Sequence, residues 1–115
     1  MTGVVVTGGG GGIGAALARR FAAGGARVVV ADLDGDKAGE IAKELAPKVL
    51  VNVVAPGVLE GGITSMVPEA VKAEYLKHSA QKRFGTHEEV ARSIAWLALE
   101  NTYVTGQTMV LDGGL

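Results

Sequence analysis

The sequence predicts an α/β fold, in which about four strands form a small, doubly wound parallel sheet flanked by helices. Two observations predict it. Short, continuous apolar runs alternate with segments whose apolar residues recur at helical spacing, which is the pattern of strand–helix–strand crossovers. A run of five glycines, from Gly8 to Gly12, also joins the first apolar run to the first helical segment. With 115 residues, the chain (residues 1–115) has the size of a single domain.

The composition excludes several classes of function. Hydrophobic residues make up 48% and charged residues 20%, as in ordinary globular proteins, and the formal net charge is −1. Scattered basic residues and only 4% aromatic residues argue against nucleic-acid binding. The absence of cysteine excludes disulfides and thiolate metal sites, and we expect no metal site. Neither a signal-peptide pattern nor a membrane-length apolar run is present, so we expect a cytoplasmic protein without a membrane partner.

Each predicted element follows from a local pattern. Apolar, β-branched runs predict four strands, at residues 4–7, 26–31, 49–54 and 108–111. Helical spacing and end signals predict four helices: from Gly12 to the Gly24–Gly25 pair, along the face marked by Ala38, Ile41, Ala42 and Leu45, from Glu69 to Ala80, and from the Thr86 capping box to Glu100.

The glycine run predicts a phosphate site. The order strand, glycine loop, helix start aims free backbone N–H groups and the positive end of the helix dipole at one point. Because glycine has no side chain, a pyrophosphate can approach the main chain closely. A tight connection between strand and helix is the alternative interpretation. We predict that Gly8, Gly11, Gly12, Ile13 and Gly14 bind the phosphates.

Asp32 strengthens this interpretation. It ends the second strand about 20 residues after Gly12, where dinucleotide-binding folds place an acid on the adenosine ribose. It could instead serve as a turn or capping residue, as could Asp34 or Asp36. A carboxylate would repel a 2′-phosphate and the turn from Leu33 to Asp36 carries no arginine, so NAD is favoured over NADP, with Asp32 and Leu33 beside the adenosine.

These residues resemble the short-chain dehydrogenase/reductase family, whose members have a Rossmann-like fold. The resemblance rests on the segments TGGGGGIG, GARVVVADLD, VNVVAPG, RFGTHEEVARSIAWLAL and YVTGQTMVLDGG, which occur in the family's order and cover nearly the whole chain. By resemblance, Pro56 and Gly57 line the nicotinamide end of the cofactor site. Gly61 occupies the position of the family's carboxamide-binding threonine, and Thr64 is the nearest substitute, although it could equally cap a helix.

The resemblance also shows an internal truncation. The central strands of the family are missing, together with its catalytic serine and Tyr-x-x-x-Lys pair, and the join lies within AGEIAKELAPKVLVN. Neither Tyr75 nor Tyr103 has a lysine four residues later, so we assign no catalytic residue. We interpret Tyr75 as a helix residue over the loop and Tyr103 as a packing residue near the C-terminus. His78 and His87 are interpreted as surface residues.

Three functions remain open. The first is an NAD(H)-binding module without turnover. The second is an active NAD-dependent oxidoreductase that uses a non-standard acid/base or a partner subunit. The third is an assembly protein with a vestigial cofactor loop. The missing centre held most of the family's substrate pocket, so the substrate is not predicted.

Two structural expectations follow. Deleting the family's central strands from its known order predicts the spatial order 2-1-3-4, with the second helix crossing to the opposite face and a ligand-binding switch point between the first and third strands. Too few helices are then available to cover both faces, which predicts a homo-oligomer, a dimer or tetramer, with Trp96, Leu97 or Val110 in the interface.

Overall fold

The chain alternates strands and helices, as the sequence predicts. The computed structural model describes residues 2–32 and 34–115. Its elements are β1 (Gly3–Thr7), α1 (Gly12–Ala23), β2 (Arg27–Ala31), α2 (Gly35–Leu45), β3 (Val51–Pro56), a short 3₁₀ helix (Gly62–Met66), α3 (Glu69–His78), α4 (His87–Leu99) and β4 (Thr108–Leu111). Over the described residues the four strands form one parallel sheet, so the predicted α/β class is confirmed. None of the described helices is long and apolar enough to span a membrane.

The predicted strand order is wrong. The sheet runs β1-β2-β3-β4, and β3 pairs with β2, through Val28 opposite Val51 and Val30 opposite Val53, rather than with β1. Helices α1 and α2 pack in the same apolar cluster, so the second helix does not cross to the opposite face. A right-handed crossover that stays on the same face carries the chain one strand further in the same direction, which gives the observed order.

The burial of β2 explains why this strand takes the central position. Val28, Val29 and Val30 are at most 1% exposed, whereas Val5 in the middle of β1 is 45% exposed. Alternate side chains of a strand point to opposite faces, so β2 needs cover on both. It receives that cover from α1 and α2 on one face and from α4 on the other.

Helices α1 and α2 cover their face with small side chains. Ala15, Ala18 and Ala22 of α1 are buried against the sheet, as are Ala38 and Ala42 of α2. Small residues let the helix backbones approach the valine-rich strands closely. Helix α2 begins at Gly35, inside the segment expected to be a turn, because the Asp34 carboxylate accepts a hydrogen bond from the Lys37 N–H (3.1 Å) and caps it.

Two buried asparagines fix the return of the chain from α4 to β4. The side-chain amides of Asn52 (2.9 Å) and Asn101 (2.7 Å) both donate to the Val104 carbonyl. The side-chain oxygen of Asn52 (Oδ1) also accepts a hydrogen bond from the Gln107 N–H (3.1 Å), just before β4 begins. Because a buried amide without partners is costly, this network specifies how β4 docks on β3.

Helix α4 begins with the predicted capping box. The Thr86 hydroxyl accepts from the Glu89 N–H (3.1 Å), and the Glu89 carboxylate accepts from the Thr86 N–H (3.0 Å). Arg83 donates two hydrogen bonds to the same carboxylate, both of 2.8 Å. The Arg83 guanidinium, and after it the Thr86 groups, lower the pKa of Glu89 from its ordinary value of 4.5 to about 2.

The lowered pKa of Glu89 predicts a loss of stability in acid. The carboxylate form is favoured by folding, so its contribution is complete above pH 4.5 and is lost as the pH falls towards about 2. Unfolding monitored by circular dichroism at a series of pH values should show this fall, and Glu89→Gln should flatten it in that window. The matched variant Glu88→Gln, on the same turn but outside the capping box, should keep the slope of the wild type. An equal loss of slope in both variants would contradict the assignment to Glu89.

Candidate dinucleotide-binding site

The glycine loop connects β1 to α1 at the carboxyl edge of the sheet. The Gly8 N–H donates to the Ala31 carbonyl (2.7 Å), which continues the β1–β2 ladder by one bond. Gly8 (φ +65°) and Gly12 (φ +55°) adopt left-handed backbone conformations that side chains disfavour. These two glycines are therefore required by the path of the main chain.

A second set of glycines is required by contacts within the protein. A Cβ atom on Gly14 would overlap the Gly8 carbonyl, and one on Gly9 would lie 2.5 Å from Val30 Cγ1. A Cβ on Gly10 would lie 2.8 Å from Asp32 Oδ2. The sequence did not single out Gly9 and Gly10, because their constraint comes from β2 and the turn after it.

Gly11 and Gly12 differ from these glycines because a Cβ atom on either would meet no protein atom within 4 Å. Gly11 caps the amino end of α1 in an extended conformation without a side-chain hydrogen bond, and the first turn of α1 contains no acidic residue. Ile13 projects outward and is 83% exposed. The main chain at the start of α1 is therefore open to an anion, which backbone N–H groups and the helix dipole would stabilise.

Asp32 lies beside the loop, and its carboxylate accepts hydrogen bonds from two backbone N–H groups. Oδ2 accepts from the Gly10 N–H (2.7 Å) and Oδ1 from the Asp34 N–H (2.9 Å). The half-buried carboxylate thereby joins the glycine loop to the turn that follows β2. The capping of α2 falls to Asp34, so Asp32 is not the capping residue. Leu33 lies outside the described residues.

The predicted nicotinamide end is set apart from the loop. Pro56 ends β3, and β2 lies between β3 and the strand that carries the loop, so the expected switch point between the first and third strands does not exist. The Gly57 N–H donates to the Leu111 carbonyl (2.8 Å), and a Cβ on Gly57 would lie 2.8 Å from Asp112 Cβ. Half-buried Thr64 lies within the 3₁₀ helix, where its carbonyl accepts from the Val67 N–H (3.1 Å).

The tyrosines and histidines lie in different environments. Tyr75 is buried and its hydroxyl donates to the Asp112 carbonyl (2.6 Å), which anchors α3 to the end of β4. Tyr103 is 95% exposed, so its interpretation as a packing residue is wrong. His78 pairs with Glu74 (3.1 Å) on the exposed side of α3, and His87 is exposed at the start of α4. Within residues 2–32 and 34–115, no group of acidic or histidine side chains could hold a metal ion.

Two surface depressions lie away from the glycine loop. One, of about 510 Å³, lies between α4 and the end of β4, beside Arg83, Ser93 and Leu111. The other, of about 700 Å³, lies at the amino edge of the sheet, beside Arg27 and Lys48. Neither depression is lined by residues of the glycine loop.

The strand–glycine loop–helix unit, with an acid at the end of the next strand, is the arrangement at which many α/β proteins bind nucleotides. Two family models match the chain: short chain dehydrogenase over residues 2–48, and enoyl-(acyl carrier protein) reductase over residues 38–115. The chain belongs to the short-chain dehydrogenase/reductase family. The two matches overlap at residues 38–48, within the segment where the sequence predicted the join.

Its curated relatives are much longer. The 3-oxoacyl-(acyl-carrier-protein) reductases FabG of Aquifex aeolicus and Thermotoga maritima are 43% and 47% identical over 77 and 76 residues. These matches cover 65% and 64% of this chain, but only 31% of each relative. The aligned part of the chain thus spans about a third of the length of these relatives.

Solved structures show the same fold. A 3-oxoacyl-(acyl-carrier protein) reductase from Brucella melitensis superposes with a TM-score of 0.67 at 27% identity, covering 88% of this chain and 46% of that one. A 3-oxoacyl-(acyl-carrier-protein) reductase from Agrobacterium tumefaciens, solved with NADP bound, gives a TM-score of 0.64 at 22% identity, covering 84% and 48%. Most of this chain therefore superposes on about half of each of these reductases.

The two kinds of glycine predict different effects of a single methyl group. Gly14→Ala should destabilise the fold by about 1–3 kcal/mol, because the methyl group would overlap a backbone carbonyl that cannot move freely. Gly11→Ala should stay within about 1 kcal/mol of the wild type, because its backbone is extended and the space is open. Urea unfolding of the two variants measures this, and equal stabilities would contradict the described loop.

Proposed function

We propose that the chain is an NAD(H)-binding module that holds the adenosine diphosphate half of the cofactor and does not turn over a substrate. The observation that carries this proposal is the exposed main chain at Gly11 and Gly12, over an uncapped helix amino end. A phosphate there would accept hydrogen bonds from the first backbone N–H groups of α1. Membership of a dehydrogenase family supports a dinucleotide as the source of that phosphate.

The choice of NAD rests on Asp32. Its carboxylate lies next to the loop, where a 2′-phosphate of NADP would meet a negative charge and no arginine from the turn after β2. Binding of the ribose requires the carboxylate to accept from ribose hydroxyls in addition to, or in place of, the Gly10 and Asp34 N–H groups. Leu33 is proposed to contact the adenine. The Agrobacterium relative carries NADP, so the two cofactors must be compared directly.

We propose that the nicotinamide end of the site contributes little to cofactor binding. Pro56, Gly57 and Thr64 are proposed to line it, but β2 separates them from the loop and Gly57 packs against Asp112. The cofactor would supply hydride chemistry, for which the protein must orient the nicotinamide and place an acid or base beside it. Tyr75, the one buried tyrosine of the described residues, instead donates a hydrogen bond to the backbone carbonyl of Asp112.

We further propose that the module works as a cytoplasmic homo-oligomer. Trp96 is 40% exposed and Val110 58% exposed, so both remain available to a partner copy. Leu97 is not available to a partner copy, because it is buried against the sheet in the same cluster as Val29 and Val54. The interface predicted from the sequence is therefore reduced to the outer sides of α4 and β4.

Calorimetry with ADP-ribose, NAD and NADP tests the cofactor proposal. The dissociation constants of ADP-ribose and NAD should lie within a factor of ten of each other, that is, within about 1.4 kcal/mol of binding free energy. The reason is that the nicotinamide half should add little to binding. NADP should bind more weakly than NAD. Asp32→Ala and Gly11→Ala should weaken both ADP-ribose and NAD; Gly11→Ala is the cleaner variant because it leaves the fold intact. An affinity for NAD more than ten times that for ADP-ribose would contradict the nicotinamide assignment.

No dehydrogenase activity above background is expected. Loss of a general acid/base alone commonly lowers rates by about 10²–10⁴. The measurement is NADH production from NAD over a panel of secondary alcohols. Steady production that is abolished by Gly12→Ala or Asp32→Ala would instead establish the alternative, an active oxidoreductase with a non-standard acid/base or a partner subunit.

A further inference from the structure

The observed strand order leaves β1 at an open edge of the sheet. Towards β2, the Thr2 carbonyl accepts from the Arg27 N–H (2.8 Å) and the Gly8 N–H donates to the Ala31 carbonyl (2.7 Å). In a parallel ladder, the N–H and C=O of alternate residues point to the same side. The even-numbered positions of β1 therefore face β2. The groups that point to the open edge belong to the odd-numbered positions, Gly3, Val5 and Thr7.

This edge lacks the devices that usually prevent strand pairing. Charged side chains, proline and bulges protect exposed edges in natural proteins. From Thr2 to Ala18 the chain contains neither a charged residue nor a proline, and β1 pairs with β2 in continuous register. Val5, in the middle of the strand, is 45% exposed. The edge is thus both apolar and free of charge.

Helix α1 adds an apolar flank above the same edge. Ala18 faces the sheet, and the Arg19–Glu44 ion pair (2.8 Å) marks the side of α1 that faces α2. Leu17 and Phe21, one turn apart, project from the other side, which overhangs the open edge. They are 43% and 39% exposed. Backbone hydrogen-bonding groups and an apolar helix flank therefore lie side by side.

We propose that β1 pairs with β1 of a second copy of this chain, antiparallel about a two-fold axis through Val5. In that register Val5 faces its own counterpart and Gly3 faces Thr7, and these outward-facing pairs would exchange on the order of six backbone hydrogen bonds. The two α1 helices would pack through Leu17 and Phe21, and the two sheets would become one. The strand complements itself because its backbone groups are matched and no like charges meet.

This interface is separate from the one on α4 and β4. Val110 lies on β4, at the opposite edge of the sheet from Val5. A chain that used both surfaces would form an assembly larger than a dimer, and one that used β1 alone would form a dimer. Val5 and Leu17 lie outside the predicted cofactor contacts, so failure of this pairing would leave the dinucleotide proposal unaffected.

Cysteine crosslinking tests the register. The chain has no cysteine, so Val5→Cys introduces a single thiol. Hydrogen-bonded antiparallel partners have Cα atoms about 5.5 Å apart, within the range that a disulfide spans. With copper phenanthroline as oxidant, Val5→Cys should form a covalent dimer rapidly at micromolar concentration. Val71→Cys, an exposed valine on α3 that lies in neither proposed interface, should crosslink much more slowly. Equal rates would overturn the proposal.

Light scattering with charged variants tests the assembly. Val5→Lys should at least halve the particle mass, and Leu17→Glu, on the helix flank, should do the same if Val5→Lys fails to fold. Val110→Lys should leave the β1 pair intact and remain at least dimeric. Cooperative thermal unfolding and far-UV circular dichroism confirm the fold of each variant. A monomeric wild-type chain, or folded Val5→Lys and Leu17→Glu variants of unchanged mass, would overturn the pairing.

Discussion

The burial of β2 on both faces is the constraint on which the rest of the fold depends. Val28 and Val30 face α1 and α2, while Val29 faces α4, and all three are almost inaccessible to solvent. Each buried valine contributes about 1.5–3 kcal/mol relative to exposure. No other placement would bury as much of this apolar strand, because an edge strand meets solvent along one side. The central position of β2 in turn makes β1 an edge and separates β3 from the glycine loop.

The glycine loop combines two requirements that a sequence alone presents as one. Some glycines are there because the main chain turns through left-handed conformations or packs against its own backbone, as at Gly8 and Gly14. Others leave open space, as at Gly11. The Asp32 carboxylate accepts a hydrogen bond from the Gly10 N–H, and this bond fixes the loop against the turn after β2. A loop held in this way would lose little additional freedom on binding a phosphate, because its order is already supplied by the fold.

Two family models divide the chain between them. The two family matches overlap at residues 38–48, that is, in most of α2 and the turn after it. Helix α2 packs on α1, β2 and β3. The alanines of α2 let this one helix pack closely against both β2 and β3. In the described part of the chain, β1 is an edge strand of the sheet, and α4 is the main cover of the second face. The proposed pairing of two copies would cover the open edge of β1.

The sequence by itself determined the local features. Apolar, β-branched runs predicted all four strands, and Thr86 with Glu89 predicted the capping box, because each pattern is a property of neighbouring residues. Only the tertiary structure decided which strands are neighbours, because the helix face chosen by α2 sets the direction of the crossover. It also decided which glycines are constrained by packing, the burial of Leu97 and Tyr75, and the exposure of Val5 and Tyr103. These depend on contacts between residues distant in the chain, which no local pattern specifies.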